Sequence, residues 1–67
     1  MRITLAPQHT EVLVNQPEDG MGYHRVDITF SDGREAHNVL VFNGEECHLS
    51  EAYENVRIVR VTHRDQS

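Results

Sequence analysis

Apolar and polar residues alternate along Val26–Phe30, and this run leads into an Asp-Gly pair at residues 32–33. A period of two indicates a strand with one buried face. Asp-Gly tolerates the positive φ that a tight hairpin turn demands, so the sequence predicts a β-hairpin. A two-residue turn gives this register: Phe30 opposite Glu35, Ile28 opposite His37, and Val26 opposite Val39.

This register divides the hairpin into two faces. The predicted buried face collects apolar side chains: Val26, Ile28, Phe30, Val39 and Val41. The other face carries a mixed polar and aromatic set: Tyr23, Arg25, Asp27, Thr29, Asn38, Leu40 and Phe42. We therefore expect contacts with partners on this second face.

Asn43–Gly44 marks a second turn, for which two loop lengths are possible. A two-residue loop would point charged and polar side chains of the next strand into the apolar face. A three-residue Phe42–Gly44 loop points Cys47 and Leu49 there instead, with Cys47 beside Val39. Burial favours the three-residue loop, which also places Gly44 in the left-handed conformation that glycine adopts readily.

The segments on either side are shorter. Apolar runs at 3–5 and 12–14 are separated by Pro7, which forbids a continuous strand, and residues 15–22 are predicted to form a loop. Ser50 can cap one short helical turn near 50–55. The apolar positions of the last strand, around 56–62, change phase, which a bulge or a doubly buried strand would explain.

These elements predict an all-β fold, with at most that one helical turn. It is a small SH3-like barrel or a strongly bent antiparallel sheet of about five strands. The 67 residues are expected to form a single small β domain spanning 1–67. Its core is predicted to contain most of the following apolar residues: Ile3, Leu5, Val12, Val14, Val26, Ile28, Phe30, Val39, Val41, Leu49, Ile58 and Val61.

The small size also bears on function. A chain of this length buries only about 60% of the surface that its unfolded form exposes. A ligand cavity of about 300 Å³ or more would compete for the same core residues. We therefore expect a non-enzymatic protein without a cofactor, whose working site is a shallow surface or a subunit interface.

Cysteine and histidine usage points the same way. The single Cys47 cannot form an internal disulfide, and no apolar run has the length of a membrane span, so a cytoplasmic protein without a membrane partner is expected. A buried Cys47 would be an inert thiol. The five histidines are scattered singly, unlike zinc ligands, so we predict no metal site within the chain. Surface histidines that bridge subunits through a metal remain an alternative.

Charge narrows the class of partner. The chain has 11 acidic residues, 6 arginines and no lysine, for a net charge of −5, which disfavours attraction to nucleic acid. Folding could still gather cations beside Tyr23 or Phe42 into a nucleic-acid surface. The arginines concerned are Arg25, Arg57, Arg60 and Arg64. A lower alternative is an acidic mimic of nucleic acid, which requires the carboxylates to form one stripe.

Residues Val26–Arg34, together with Leu40, Phe42 and Asn43, resemble the first motif of Sm-like RNA-binding proteins: an alternating strand, Asp-Gly-Arg and a second strand. The resemblance covers less than a third of the chain, and Asn38 stands where that family has glycine. It implies a small barrel and an RNA ligand, and it assigns no RNA contact to a named position.

The leading prediction is a small acidic interaction module, a regulator or accessory subunit, that binds a protein partner. Its predicted contact residues lie on the open face and in the acidic loop: Tyr23, Arg25, Leu40, Phe42, Glu18 and Asp19. We also expect a homodimer, because small β domains with open edge strands often cover an edge by pairing.

Overall fold

The computed structural model describes residues 1–18 and 20–64. In chain order its elements are β1 (Arg2–Thr4), α1 (Pro7–Val14), β2 (Tyr23–Phe30), β3 (Glu35–Phe42), β4 (Glu46–His48), a 3₁₀ helix (Glu51–Tyr53) and β5 (Ile58–His63). The strands form one antiparallel sheet in the order β1-β4-β3-β2-β5, curled into a half-barrel. This confirms the predicted all-β fold of about five strands in its bent-sheet form.

The core lies on the concave face of the sheet. Burial along β2 alternates strictly, with Val26, Ile28 and Phe30 buried and the intervening side chains partly exposed. The buried apolar residues come from all parts of the described chain: Leu5, Leu13, Val26, Ile28, Phe30, Val41, Cys47, Leu49 and Val61. The ring of Tyr53 stacks on Phe30 at a centroid distance of 4.2 Å and closes one end of this core.

The register predicted for the first hairpin is wrong near its turn. The Phe30 amide donates to the Arg34 carbonyl at 2.9 Å, which makes the loop three residues long instead of two. Ile28 therefore lies opposite Ala36, and His37 points outward with an exposed side chain. The three-residue loop is possible because Gly33 adopts a positive φ of +92°. In this register the small Ala36 side chain packs against the core.

A β-bulge restores the predicted register farther from the turn. His37 and Asn38 together face the single residue Asp27, after which Val26 pairs with Val39 and Tyr23 with Phe42. Asn38 takes up the extra residue at φ +57°, a conformation that asparagine tolerates better than most side chains.

In the second hairpin the side chains lie on the predicted faces of the sheet, although the loop begins one residue later than predicted. Phe42 pairs with Glu46 and Val41 with Cys47, so the loop is Asn43–Glu45 instead of Phe42–Gly44. Cys47 consequently lies opposite Val41, two positions from the predicted Val39. A shift of two keeps every side chain on its face, and Gly44 has the expected positive φ of +75°.

Helix α1, with eight residues, shows that the prediction of at most one short helical turn near 50–55 was wrong. Pro7 lies in its first turn, where the amide that proline lacks would have no partner inside the helix. The helix buries His9 and Leu13, one turn apart, against the sheet. Val12 and Val14 are exposed instead, so their assignment to the core was wrong.

The last part of the chain agrees with its predictions. The Ser50 hydroxyl accepts a hydrogen bond from the Ala52 amide at 3.2 Å and caps the 3₁₀ helix. In β5 the pairing shifts between Arg60 and Ile58, which makes Val59 a bulge residue that is 53% exposed. This confirms the bulge as the cause of the phase change. No helix in the described ranges is long and apolar enough to span a membrane.

Candidate functional site: the convex face of the sheet

Four of the predicted contact residues come together on the convex face. Tyr23 pairs with Phe42 and Arg25 with Leu40, and residues paired across an antiparallel ladder share a face. The rings of Tyr23 and Phe42 are 6.1 Å apart between centroids and tilted by 58°. Leu40 and Phe42 are each 39% exposed. We call these four residues the outer patch.

A tight turn holds one end of the outer patch. The Tyr23 amide is 3.5 Å from the Gly20 carbonyl, and Gly22 between them has φ +80°. The ring of Tyr23 packs directly on Gly20, where an added Cβ would lie 2.2 Å from a ring carbon. Gly20 thus sets the position of the ring through close approach. Met21, at the tip of this turn, is 98% exposed.

Asp27 organises the centre of the convex face. One of its carboxylate oxygens accepts hydrogen bonds from the Asn38 amide at 3.1 Å and from Arg64 at 3.0 Å, and it lies 3.3 Å from His37 Nδ1. Partial desolvation, the largest single influence, raises the pKa of Asp27. The hydrogen bonds from Asn38, Arg64 and His37 together outweigh it, so the pKa lies below the ordinary value of 3.8. The carboxylate therefore ties the β3 bulge to the end of β5.

Three of the four arginines of the nucleic-acid alternative lie on this face. Arg60 pairs with Thr29, and the Arg64 amide donates to the Arg25 carbonyl at 2.9 Å, which aligns all three with the outward side of β2. Arg57 is separate, because it lines a hollow between β1 and β5 at the open side of the half-barrel. Since Arg64 is paired with Asp27, its charge is partly neutralised within the protein.

The acidic loop is only partly described. Glu18 lines a hollow of about 360 Å³ with His24 and Asn43, at the end of the sheet where Phe42 leads into the second loop. It is not among the outer-patch side chains. Asp19, its predicted companion, lies outside the described residues.

His24 lies next to this hollow on the buried side of β2. Its Nε2 is 3.0 Å from the Gln16 carbonyl, to which it donates, and its ring meets that of His63 edge-on at 5.8 Å. Its Nδ1 is buried and has no hydrogen-bond partner among the described residues. Within residues 1–18 and 20–64, no three potential metal ligands come together.

Cys47 is fully buried, and burial raises the pKa of its thiol. Both properties suppress the thiolate that nucleophilic chemistry requires. The prediction of a core cysteine is confirmed.

Sequence reasoning missed two features. The first is the contact of Gly20 with the Tyr23 ring, because the sequence predicts only that Gly20 lies in a loop. The other feature is a groove of about 630 Å³ between α1 and β5, lined by Val12, Gln16, Pro17 and residues 60–63. The available signal for the groove was Val12, an apolar residue five positions after the proline that begins helix α1.

The fold and its convex face define a small, open half-barrel of antiparallel strands with one helix packed beside the last strand. Comparison with known protein families, curated proteins and solved structures finds no match for this chain.

Proposed function

We propose that this protein is a small non-enzymatic interaction module, a regulator or accessory subunit, that binds a protein partner through the outer patch. The observation that carries the proposal is the half-exposed Tyr23–Phe42 pair, with Leu40 beside it, on a face otherwise made of charged and polar side chains. Aromatic side chains surrounded by polar groups are the usual energetic centres of protein interfaces.

Two further observations support a binding surface of this kind. Tyr23 is held between the backbone of Gly20 and the ring of Phe42, so little side-chain entropy remains to be lost on binding. The buried free Cys47 suits a reducing compartment, in line with a cytoplasmic location. The SH3-like architecture expected for the barrel belongs to the same proposal.

The experiment is affinity capture from the native host followed by mass spectrometry, with two variants compared with the wild type. Phe42→Ser removes an aromatic side chain from the outer patch. Val59→Ser is the matched control, because Val59 is also an exposed apolar residue but lies on the β5 bulge. We expect a partner that the wild type and Val59→Ser retain and Phe42→Ser loses. A partner set that is identical for all three proteins would contradict the proposal.

Nucleic-acid binding is the second candidate, favoured by the alignment of Arg25, Arg60 and Arg64 beside two aromatic rings. It predicts salt-dependent retention on a phosphate matrix that weakens in Arg25→Ala and Arg60→Ala. The protein-binding module predicts no retention. The pairing of Arg64 with Asp27 and the net charge of −5 favour the protein-binding module. Asp27 and Asp32 each contact an arginine, which also weighs against the acidic mimic.

A homodimer is the third part of the proposal. Two copies that pack their outer patches together, instead of pairing edge strands as expected from the sequence, would cover both aromatic pairs in a self-complementary contact. This dimer would compete with the protein partner for the outer patch. Sedimentation equilibrium at high protein concentration tests it. We expect a dimer that Phe42→Ser weakens, and a strictly monomeric wild type would contradict self-association.

A further inference from the structure

β5 is an edge strand of the sheet that residues 1–18 and 20–64 form. It has six residues and pairs with β2 within these ranges, whereas the opposite edge, β1, has three residues. The Arg64 amide donates to Arg25 across the β2–β5 ladder. Because hydrogen-bonded and non-hydrogen-bonded pairs alternate in an antiparallel ladder, the backbone of Thr62 also points to β2, and that of Val61 points to the open side. Such an edge is a template for another strand.

A groove runs along this open edge. It lies between β5 and the end of α1, is open to solvent and has a volume of about 630 Å³. Val12 and Pro17 form an apolar wall on the helix side, and residues 60–63 of β5 form the other side. An extended peptide beside β5 could therefore place alternate side chains in the groove.

The charged residues near the groove indicate which kind of peptide segment would bind there. Of the three arginines between Asn55 and Arg64, Arg57 lines the hollow near β1 and Arg64 is paired with Asp27, whereas Arg60 lines the groove. Arg60 is exposed, and no carboxylate of the described ranges lines the groove. A second copy paired through its own β5 would bring two Arg60 side chains to the same face of the joint sheet. An acidic strand would meet complementary charge instead.

We propose that the β5 edge accepts an acidic, extended segment of a partner protein as a sixth strand. Its backbone hydrogen-bonds to Val61, its apolar side chains enter the groove beside Val12, and its carboxylates face Arg60. Main-chain hydrogen bonds supply affinity in this mode of recognition, and alternate side chains supply specificity. This surface is separate from the outer patch, so the inference does not depend on the function proposed above.

The test uses a fluorescent nine-residue peptide of alternating valine and glutamate, titrated by anisotropy against the full chain. We expect binding with a Kd below about 1 mM. Arg60→Glu should weaken it about tenfold or more, whereas Arg2→Glu, the same charge change on the β1 edge, should change it less than about twofold. Phe42→Ser should leave the Kd unchanged, which separates this site from the outer patch.

Backbone pairing is tested with two N-methylated versions of the peptide, each blocking one of the two alternating sets of amides. One version should lose binding and the other should keep it, and amide exchange at Val61 should slow in the complex. Equal binding of both versions, or of a valine–lysine peptide, would overturn the proposal. Absence of binding would overturn it as well, and so would a dimer in which the Val61 amide is already protected without peptide.

Discussion

At the scale of single residues, Gly20 determines where the Tyr23 ring lies. We predict that Gly20→Ala displaces this ring, because the new Cβ would lie 2.2 to 2.4 Å from its distal atoms. Those atoms belong to the end of a side chain that can rotate, so we expect a stability loss of only about 1 kcal/mol. The measurement is the NOE between the Tyr23 and Phe42 rings, together with urea unfolding.

The control for this prediction is a double-mutant cycle with Tyr23→Ala. Once the ring is absent, Gly20→Ala has nothing to displace and should cost much less than in the wild type. Full additivity of the two substitutions, or an unchanged ring contact in Gly20→Ala, would show that Gly20 does not position Tyr23.

The Asp27 carboxylate gives a prediction about pH. Hydrogen bonds from Asn38, Arg64 and His37 outweigh desolvation and depress its pKa in the folded protein. A depressed carboxyl pKa stabilises the fold above the unfolded value of about 3.9, and this contribution is lost as pH falls through the folded pKa. The stability advantage of the wild type over Asp27→Asn should therefore be full at about pH 6 and shrink below about pH 4.

Carboxyl NMR titration measures the same effect directly. We expect a midpoint below 3.8 for Asp27 in the wild type and a higher midpoint in Arg64→Gln, which loses one hydrogen-bond donor. If the midpoint is the same in both proteins, the contact with Arg64 does not act on the carboxylate in solution.

At the scale of elements, the β3 bulge determines which side chains of the first hairpin face the core. Asn38 has φ +57°, so Asn38→Gly should be neutral or slightly stabilising, and Asn38→Val should cost about 1 to 2 kcal/mol. The hydrogen bond to the Asp27 carboxylate comes from the backbone amide of residue 38, so it does not depend on the side chain at this position and both variants keep it. Urea unfolding of the two variants checks the prediction. Equal free energies of unfolding for Asn38→Gly and Asn38→Val would show that residue 38 does not have the positive φ of the bulge.

The bulge also shows what the sequence could predict of this sheet. Alternation assigned Tyr23, Arg25, Leu40 and Phe42 to one face correctly, because a strand has a fixed period of two. The first loop was predicted one residue too short and the second was placed one residue too early, because the pattern of apolar and polar residues does not reveal a positive φ at Asn38 or Asn43. In the first hairpin, the extra loop residue and the β3 bulge compensate for each other, so the four residues of the outer patch keep their predicted pairing.

Helix α1 was missed for a different reason. Its buried positions are His9 and Leu13, and a histidine is not recognised as a core residue by an apolar pattern. The conspicuous residues, Val12 and Val14, point to solvent. A helix of eight residues is not stable by itself and depends on tertiary packing. The groove beside β5 could not be predicted, since its walls come from segments about 50 residues apart in the chain.

At the scale of the whole molecule, Cys47 reports how often the fold opens. Its thiol is fully buried, and burial raises its pKa, so we expect alkylation by iodoacetamide only through opening. A margin of about 3 to 5 kcal/mol for so small a domain corresponds to labelling roughly 10²- to 10⁴-fold slower than in urea. Labelling of the native protein at the urea rate would contradict a core position for Cys47.

The rate at which iodoacetamide labels Cys47 also tests whether α1 unfolds together with the core. Leu13→Ala removes a fully buried side chain and should cost about 2 to 5 kcal/mol, which brings labelling of Cys47 close to the unfolded limit. Val14→Ala, in the same helix at a position 64% exposed, should change the rate less than about threefold. If Leu13→Ala labels as slowly as the wild type, α1 opens independently of the sheet. The β5 groove would then lose its helix wall without global unfolding.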